Sequence, residues 1–93
     1  MDKQSITQAI INRVESAKTV DYSMWTIGLT HDPAERKQQH ENDGESTKYW
    51  EQWVADSLSE AQEIESFFIN KKGMKGGTGG DLSPRRTVYV YIF

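Results

Sequence analysis

Apolar and polar positions change period several times along the chain, and each change marks an element. Ile6, Ala9, Ile10, Val14 and Ala17 recur at the helical period among Gln, Asn, Arg and Glu, which predicts an amphipathic helix over residues 5–17. Tyr22–Thr30, YSMWTIGLT, is rich in aromatic and β-branched residues and predicts a strand. His31-Asp32-Pro33-Ala34-Glu35 then opens a helix. Asp32 can cap it, Pro33 fits its first turn, and Glu35 stands three residues after the cap as in a capping box. That helix, over 33–41, holds one apolar residue, Ala34. With almost nothing to bury, it belongs at the rim of the domain, held by its ends or by side-chain stems. NDGESTK at 42–48 is a polar loop, and Tyr49–Ala55, YWEQWVA, predicts a second strand with a pattern that also fits a helix.

Ser57-Leu58-Ser59-Glu60 repeats the Ser-to-Glu capping spacing and starts a third helix that runs to about Lys72. Leu58, Ala61, Ile64, Phe68 and Ile69 form its apolar stripe. Five of the seven glycines fall within 73–80, which predicts a flexible loop or a backbone built for close approach. Val88–Phe93, VYVYIF, is a closing strand with Tyr89, Tyr91 and Phe93 on one face. The order is helix, strand, helix, strand, helix, strand. It predicts an α+β fold in which a small three-stranded antiparallel sheet is flanked by three helices.

At 93 residues and 10.7 kDa the chain makes a single domain, 1–93, with one small core. Hydrophobic residues at 35% and aromatic ones at 11% exclude a solvating disordered chain. No apolar run approaches the roughly 20 residues of a membrane helix, and the N-terminus has no signal-peptide core, so a cytoplasmic protein without membrane contact is expected. The absence of cysteine excludes disulfide frameworks, zinc knuckles and thiol nucleophiles. The net charge of −3 is unevenly spread. Residues 1–70 carry −7 and residues 71–93 carry +4, so an acidic body bears a basic C-terminal segment.

Few residues stand out chemically. Glu65 falls inside the apolar stripe of its helix, four after Ala61 and three before Phe68, whereas Glu60 and Glu63 point away. It snorkels at the stripe's edge, pairs with an Arg, or faces a site, where it could hold a hard divalent cation. Arg36 and His40 are spaced i, i+4 and share one face of the rim helix. That face is either ordinary solvated surface or part of a site. The glycine loop is not a Walker A motif, because no Gly-Lys-Ser/Thr ends it.

Together these residues resemble a known family. Thr26-Ile27-Gly28-Leu29-Thr30-His31-Asp32-Pro33-Ala34-Glu35-Arg36-Lys37-Gln38-Gln39-His40 is similar to the second signature of GIY-YIG endonucleases. There a Tyr-Ile-Gly strand leads into a helix carrying an Arg and, one turn later, often a His. The segment Ala61–Lys71 is similar to the family's helix that presents a metal-binding Glu, with Glu65 in that place. The resemblance covers about residues 22–75. Thr26 stands where the family has Tyr, and no Gly-Ile-Tyr strand precedes it. Thr-Val-Tyr-Val-Tyr-Ile-Phe at the C-terminus reads as that first strand moved by circular permutation, which requires strand 88–93 to pair antiparallel with strand 22–30.

The resemblance implies a GIY-YIG-like fold and metal-dependent hydrolysis of a nucleic acid phosphodiester, DNA above all. Glu65 would hold Mg²⁺ or Mn²⁺, Arg36 would clamp the phosphate, and Tyr89 or Tyr91 would activate water with His40 assisting proton transfer. Lys71, Lys72, Lys75, Arg85 and Arg86 would track the nucleic acid backbone. A domain this small would take its specificity from a protein partner. The alternative is a catalytically inactive module of the same fold that binds nucleic acid or a protein, or an adaptor that meets partners through exposed Trp50, Trp53 and the rim helix.

Overall fold

The computed structural model describes residues 1–76 and 81–93. Helices α1 (Lys3–Glu15), α2 (Pro33–Asn42) and α3 (Leu58–Asn70) alternate with strands β1 (Thr26–Thr30), β2 (Glu51–Val54), β3 (Lys75–Gly76) and β4 (Tyr89–Ile92). The sheet order is β2-β4-β1-β3. The C-terminal strand is thus central, antiparallel to β1 on one side (Gly28 opposite Tyr91) and to β2 on the other (Trp53 opposite Val90). Backbone bonds carry the pairing to both ends of the 88–93 segment: Thr26 N–H donates to Phe93 O at 2.8 Å, and Ala55 N–H to Val88 O at 2.9 Å.

The sheet is therefore four-stranded and mixed, where three antiparallel strands were expected. The added strand is β3, which lies inside the expected glycine loop and pairs parallel to β1 at Thr26 and Ile27. Gly73, at φ +83°, turns the chain at the end of α3, and Met74 N–H bonds back to Phe68 O at 3.0 Å. At Gly76 any Cβ would collide with the side chain of Ile69, so a glycine lets the backbone lie against α3. Residues 77–80 of that loop lie outside the described residues. The first strand also starts late. Asp21 accepts from Ser23 N–H at 3.0 Å and winds Tyr22–Met24 into a 3₁₀ turn before extended backbone resumes.

One side of the sheet holds the apolar core. Ile27 and Leu29 of β1 and Val90 and Ile92 of β4 alternate onto it, against Ile6, Ile10 and Val14 of α1 and Ala61, Ile64 and Phe68 of α3. Those six helical residues are essentially fully buried. The opposite side receives Gly28 and Tyr91, and α2 lies over it. No residue of α2 is buried. Its start is fixed by polar contacts. Thr30 Oγ1 accepts from Asp32 N–H at 3.0 Å, and Asp32 accepts from Glu35 N–H at 3.1 Å. Because Thr30 takes the Asp32 N–H, Glu35 does not close the expected capping box, and its carboxylate accepts from Gln39 instead.

Candidate active site

Tyr91 is the centre of the polar side. Its ring is buried, and it lies across Gly28 on the neighbouring strand so closely that any Cβ there would collide with the phenol. A glycine at 28 is therefore a steric condition for this tyrosine's place. Trp50 stacks on the Tyr91 ring at 4.4 Å between centroids and 8° between planes, and Phe93 joins the stack. Trp50 and Trp53 are thus not the free aromatic surface expected of an adaptor: both are partly buried, Trp53 against the core.

Two side chains of α2, one helical turn apart, meet the Tyr91 hydroxyl. Arg36 Nε donates to it at 3.2 Å, and His40 Nε2 lies 3.0 Å away. The i, i+4 pair singled out in the sequence therefore converges on one oxygen. Arg36 Nη1 donates to Gln39 at 2.9 Å, and His40 Nδ1 bonds Glu45 at 2.8 Å. Burial raises the Tyr91 pKa above its ordinary value of 10.0, the nearby Arg36 opposing and the Glu65 and Glu45 carboxylates adding to it. Tyr91 is thus a protonated phenol at neutral pH, able to donate its own hydrogen.

Glu65 closes the site from the other side. β3 pairs with β1 only at Thr26 and Ile27, so beyond Ile27 the β1 edge has no strand neighbour there among the described residues. A small cleft of about 50 Å³ is lined by Thr26–Leu29, Arg36, His40, Glu65 and Tyr91. Glu65 is half-buried, and burial alone raises its pKa from 4.5. No hydrogen bond or ion pair engages its carboxylate among the described residues, so the Arg partner considered from the sequence is not what holds it. No group of three or more acidic or His side chains suited to a metal occurs among the described residues. Glu65 is therefore the one carboxylate lining this cleft among the described residues, and it could supply a single oxygen ligand site to a hard cation.

Of the other expected residues, Tyr89 sits two positions back, opposite Thr30 and Val54, and does not line the cleft. Arg86 lines an adjoining groove of about 260 Å³ whose wall Leu29 and Arg36 share with the cleft, though Asp32, Glu35 and Asp81 line it too. Lys75 stands opposite Thr26 on β3. Lys71 and Lys72 lie past the end of α3, Lys72 Nζ 5.4 Å from the Tyr22 ring, and Arg85 is exposed.

Sequence reasoning missed the part three residues take around this cleft. Trp50 read as a strand aromatic and as candidate adaptor surface, and Glu45 as loop. His31 read only as part of the turn into α2, yet it accepts from Ser83 N–H through Nε2 at 2.8 Å and so donates from Nδ1 to Thr87 O at 2.8 Å. It ties the segment before β4 to the end of β1. Gly44 followed by a Glu, just past a helix bearing His40, was the available signal for Glu45. No protein-family model, curated protein or solved structure matches the chain.

Proposed function

We propose that the protein is a small, circularly permuted GIY-YIG-like nuclease that hydrolyses nucleic acid phosphodiesters, DNA in the first instance, with Mg²⁺ or Mn²⁺. The observation that carries the reading is the convergence of Arg36 and His40 of α2, Glu65 of α3 and Tyr91 of β4 on one cleft, from three separate elements of the chain. The antiparallel pairing of β4 with β1, which the permuted arrangement requires, supports it. Tyr91, rather than Tyr89, takes the part of the first-signature tyrosine.

In this reading the chain's residues divide the work. Arg36 keeps Nη2 for the phosphate while Nε and Nη1 fix its orientation against Tyr91 and Gln39. Tyr91 takes a proton from the attacking water as it passes its own to His40 Nε2. The resulting hydroxide attacks phosphorus, one P–O ester bond breaks, and solvent protonates the leaving oxygen. Glu65 is the residue to hold the divalent ion, which supplies charge compensation at the phosphate and the leaving oxygen.

Thr26, in the cleft where the family has a second tyrosine, favours a second reading: a module that binds nucleic acid without cutting it. Nicking of supercoiled plasmid with Mg²⁺ or Mn²⁺, beside identically purified Glu65→Ala, separates the two. Cleavage by wild type alone is the expected result. Salt-sensitive DNA binding without cleavage would select the binding module, and neither binding nor cleavage would end both readings.

A further inference from the structure

The end of α2 is built so that the chain returns to His40. Gly44 adopts φ +84°, its N–H donates to Glu41 O at 3.0 Å, and Glu45 N–H donates to His40 O at 3.0 Å. This is the paired bonding of a Schellman motif, with the glycine in the left-handed position that ends the helix. Its consequence is that Glu45, five residues after His40, is carried back over the last turn. There Oε1 meets His40 Nδ1 at 2.8 Å. The imidazole is nearly enclosed, its side chain 12% exposed, and Glu45 is 43% exposed. Phe93, at 4.5 Å between ring centroids, and Tyr91, at 5.6 Å, fix the ring on its other sides.

The hydrogen-bond inventory then decides which ring nitrogen carries the proton. Arg36 has donors only, so its Nε–H occupies a lone pair of the Tyr91 hydroxyl, and the phenolic hydrogen must point elsewhere. The acceptor within reach is His40 Nε2, which accepts only when unprotonated. A neutral His40 with Nε2 bare carries its hydrogen on Nδ1, where Glu45 takes it. In the opposite tautomer the Nδ1 lone pair would face a carboxylate oxygen, and Nε2–H and Arg36 would both donate to Tyr91, leaving the buried phenolic hydrogen without an acceptor.

We propose that Glu45 is a positioning residue that holds His40 in the Nδ1–H tautomer and so makes Nε2 the acceptor of the Tyr91 proton. Its effect on cleavage rests on the nuclease reading above; its effect on the tautomer does not. When the proton moves from Tyr91 Oη to His40 Nε2, the imidazolium keeps its Nδ1 hydrogen on Glu45 and the phenolate keeps Arg36. Each new charge thus has its partner in place, and no proton need reach Glu45.

Nitrogen-15 spectra of the two imidazoles, with His40→Asn to assign them, test this directly at a pH where both rings are neutral. Wild type is expected to show His40 protonated at Nδ1. Glu45→Ala, in which only the Tyr91 hydrogen still favours a bare Nε2, should raise the share of the Nε2–H form, whereas Glu45→Gln, whose amide oxygen still accepts, should keep the Nδ1–H form. In plasmid nicking Glu45→Ala should lower kcat about 10- to 100-fold with KM unchanged, and Glu45→Gln should restore much of the rate. A wild-type Nε2–H signal, or a tautomer indifferent to Glu45→Ala, overturns the proposal even if the protein nicks DNA. An Nδ1–H signal that Glu45→Ala weakens in favour of Nε2–H, in a protein that never nicks, upholds the positioning role and overturns the nuclease reading.

Discussion

The two sides of the sheet are held by different physics. On one side α1 and α3 bury Ile6, Ile10, Val14, Ala61, Ile64 and Phe68 against Ile27, Val90 and Ile92, and shape and apolar area do the holding. On the other, α2 adds no residue to the apolar core and is held by directed bonds: Thr30 and Asp32 at its start, Arg36 and His40 to Tyr91, and Glu45 at its end. The apolar side tolerates no loss of volume but asks little of orientation. The polar side, around the Trp50–Tyr91–Phe93 stack, fixes atoms to within a hydrogen bond. An α+β domain of this length can carry a site only by dividing the labour, since its small core leaves no second apolar layer.

β4 belongs to both sides, Val90 and Ile92 facing the core and Tyr91 the cleft, so its removal is the largest break. Truncation before Val88 deletes the sheet's central pairing partner and should leave no cooperative melting transition. A truncated chain that melts like the full-length protein would contradict the central place of this strand. Substitutions confined to one side separate the two. Phe68→Ala should cost about 3–5 kcal/mol, while Arg36→Ala, which removes a bond to a hydroxyl that His40 still contacts, should cost about 0.5–1.5 kcal/mol. Activity should reverse the order: Arg36→Ala loses roughly 10²- to 10³-fold in nicking rate, and Phe68→Ala keeps the rate wherever it stays folded. Denaturant melts beside plasmid nicking check both halves, and equal stability losses would erase the distinction.

The same division explains what the sequence made legible. The apolar side writes itself as a period, so Ile6, Ile10, Val14, Ile64 and Phe68 were readable as core and the helix limits fell within a few residues. Helix α2 was readable from its cap, Asp32-Pro33, and its place at the rim from its lack of apolar residues. Arg36 and His40 were readable as one face, but that this face meets Tyr91, 55 and 51 residues away, depends on strand order, which period does not encode. The parallel β3 escaped because two residues give no alternation, and its glycine acts through close packing on Ile69. Glu45 escaped because a Schellman turn, not a repeat, brings it to His40.

Glu65 is where the two sides meet, on the apolar stripe of α3 yet open to the cleft, and it gives the smallest and most pointed test. Burial raises its pKa from 4.5 with nothing among the described residues to offset it. The folded state therefore binds more protons than the unfolded chain between 4.5 and the raised value, so stability falls as pH rises through that window. At neutral pH the cost of the half-buried charge is fully present. Glu65→Gln, a neutral match for the protonated acid, should melt with wild type at pH 4. It should melt higher at pH 7.5, by about 0.5 kcal/mol or roughly 2–4 °C, because solvent at the cleft screens much of the charge. Mn²⁺ should then raise the wild-type midpoint at pH 7.5 and leave Glu65→Gln where it was. A residue kept for stability gives the opposite sign. If Glu65→Gln melts lower at pH 7.5, the carboxylate is a structural partner and the cleft loses its acid.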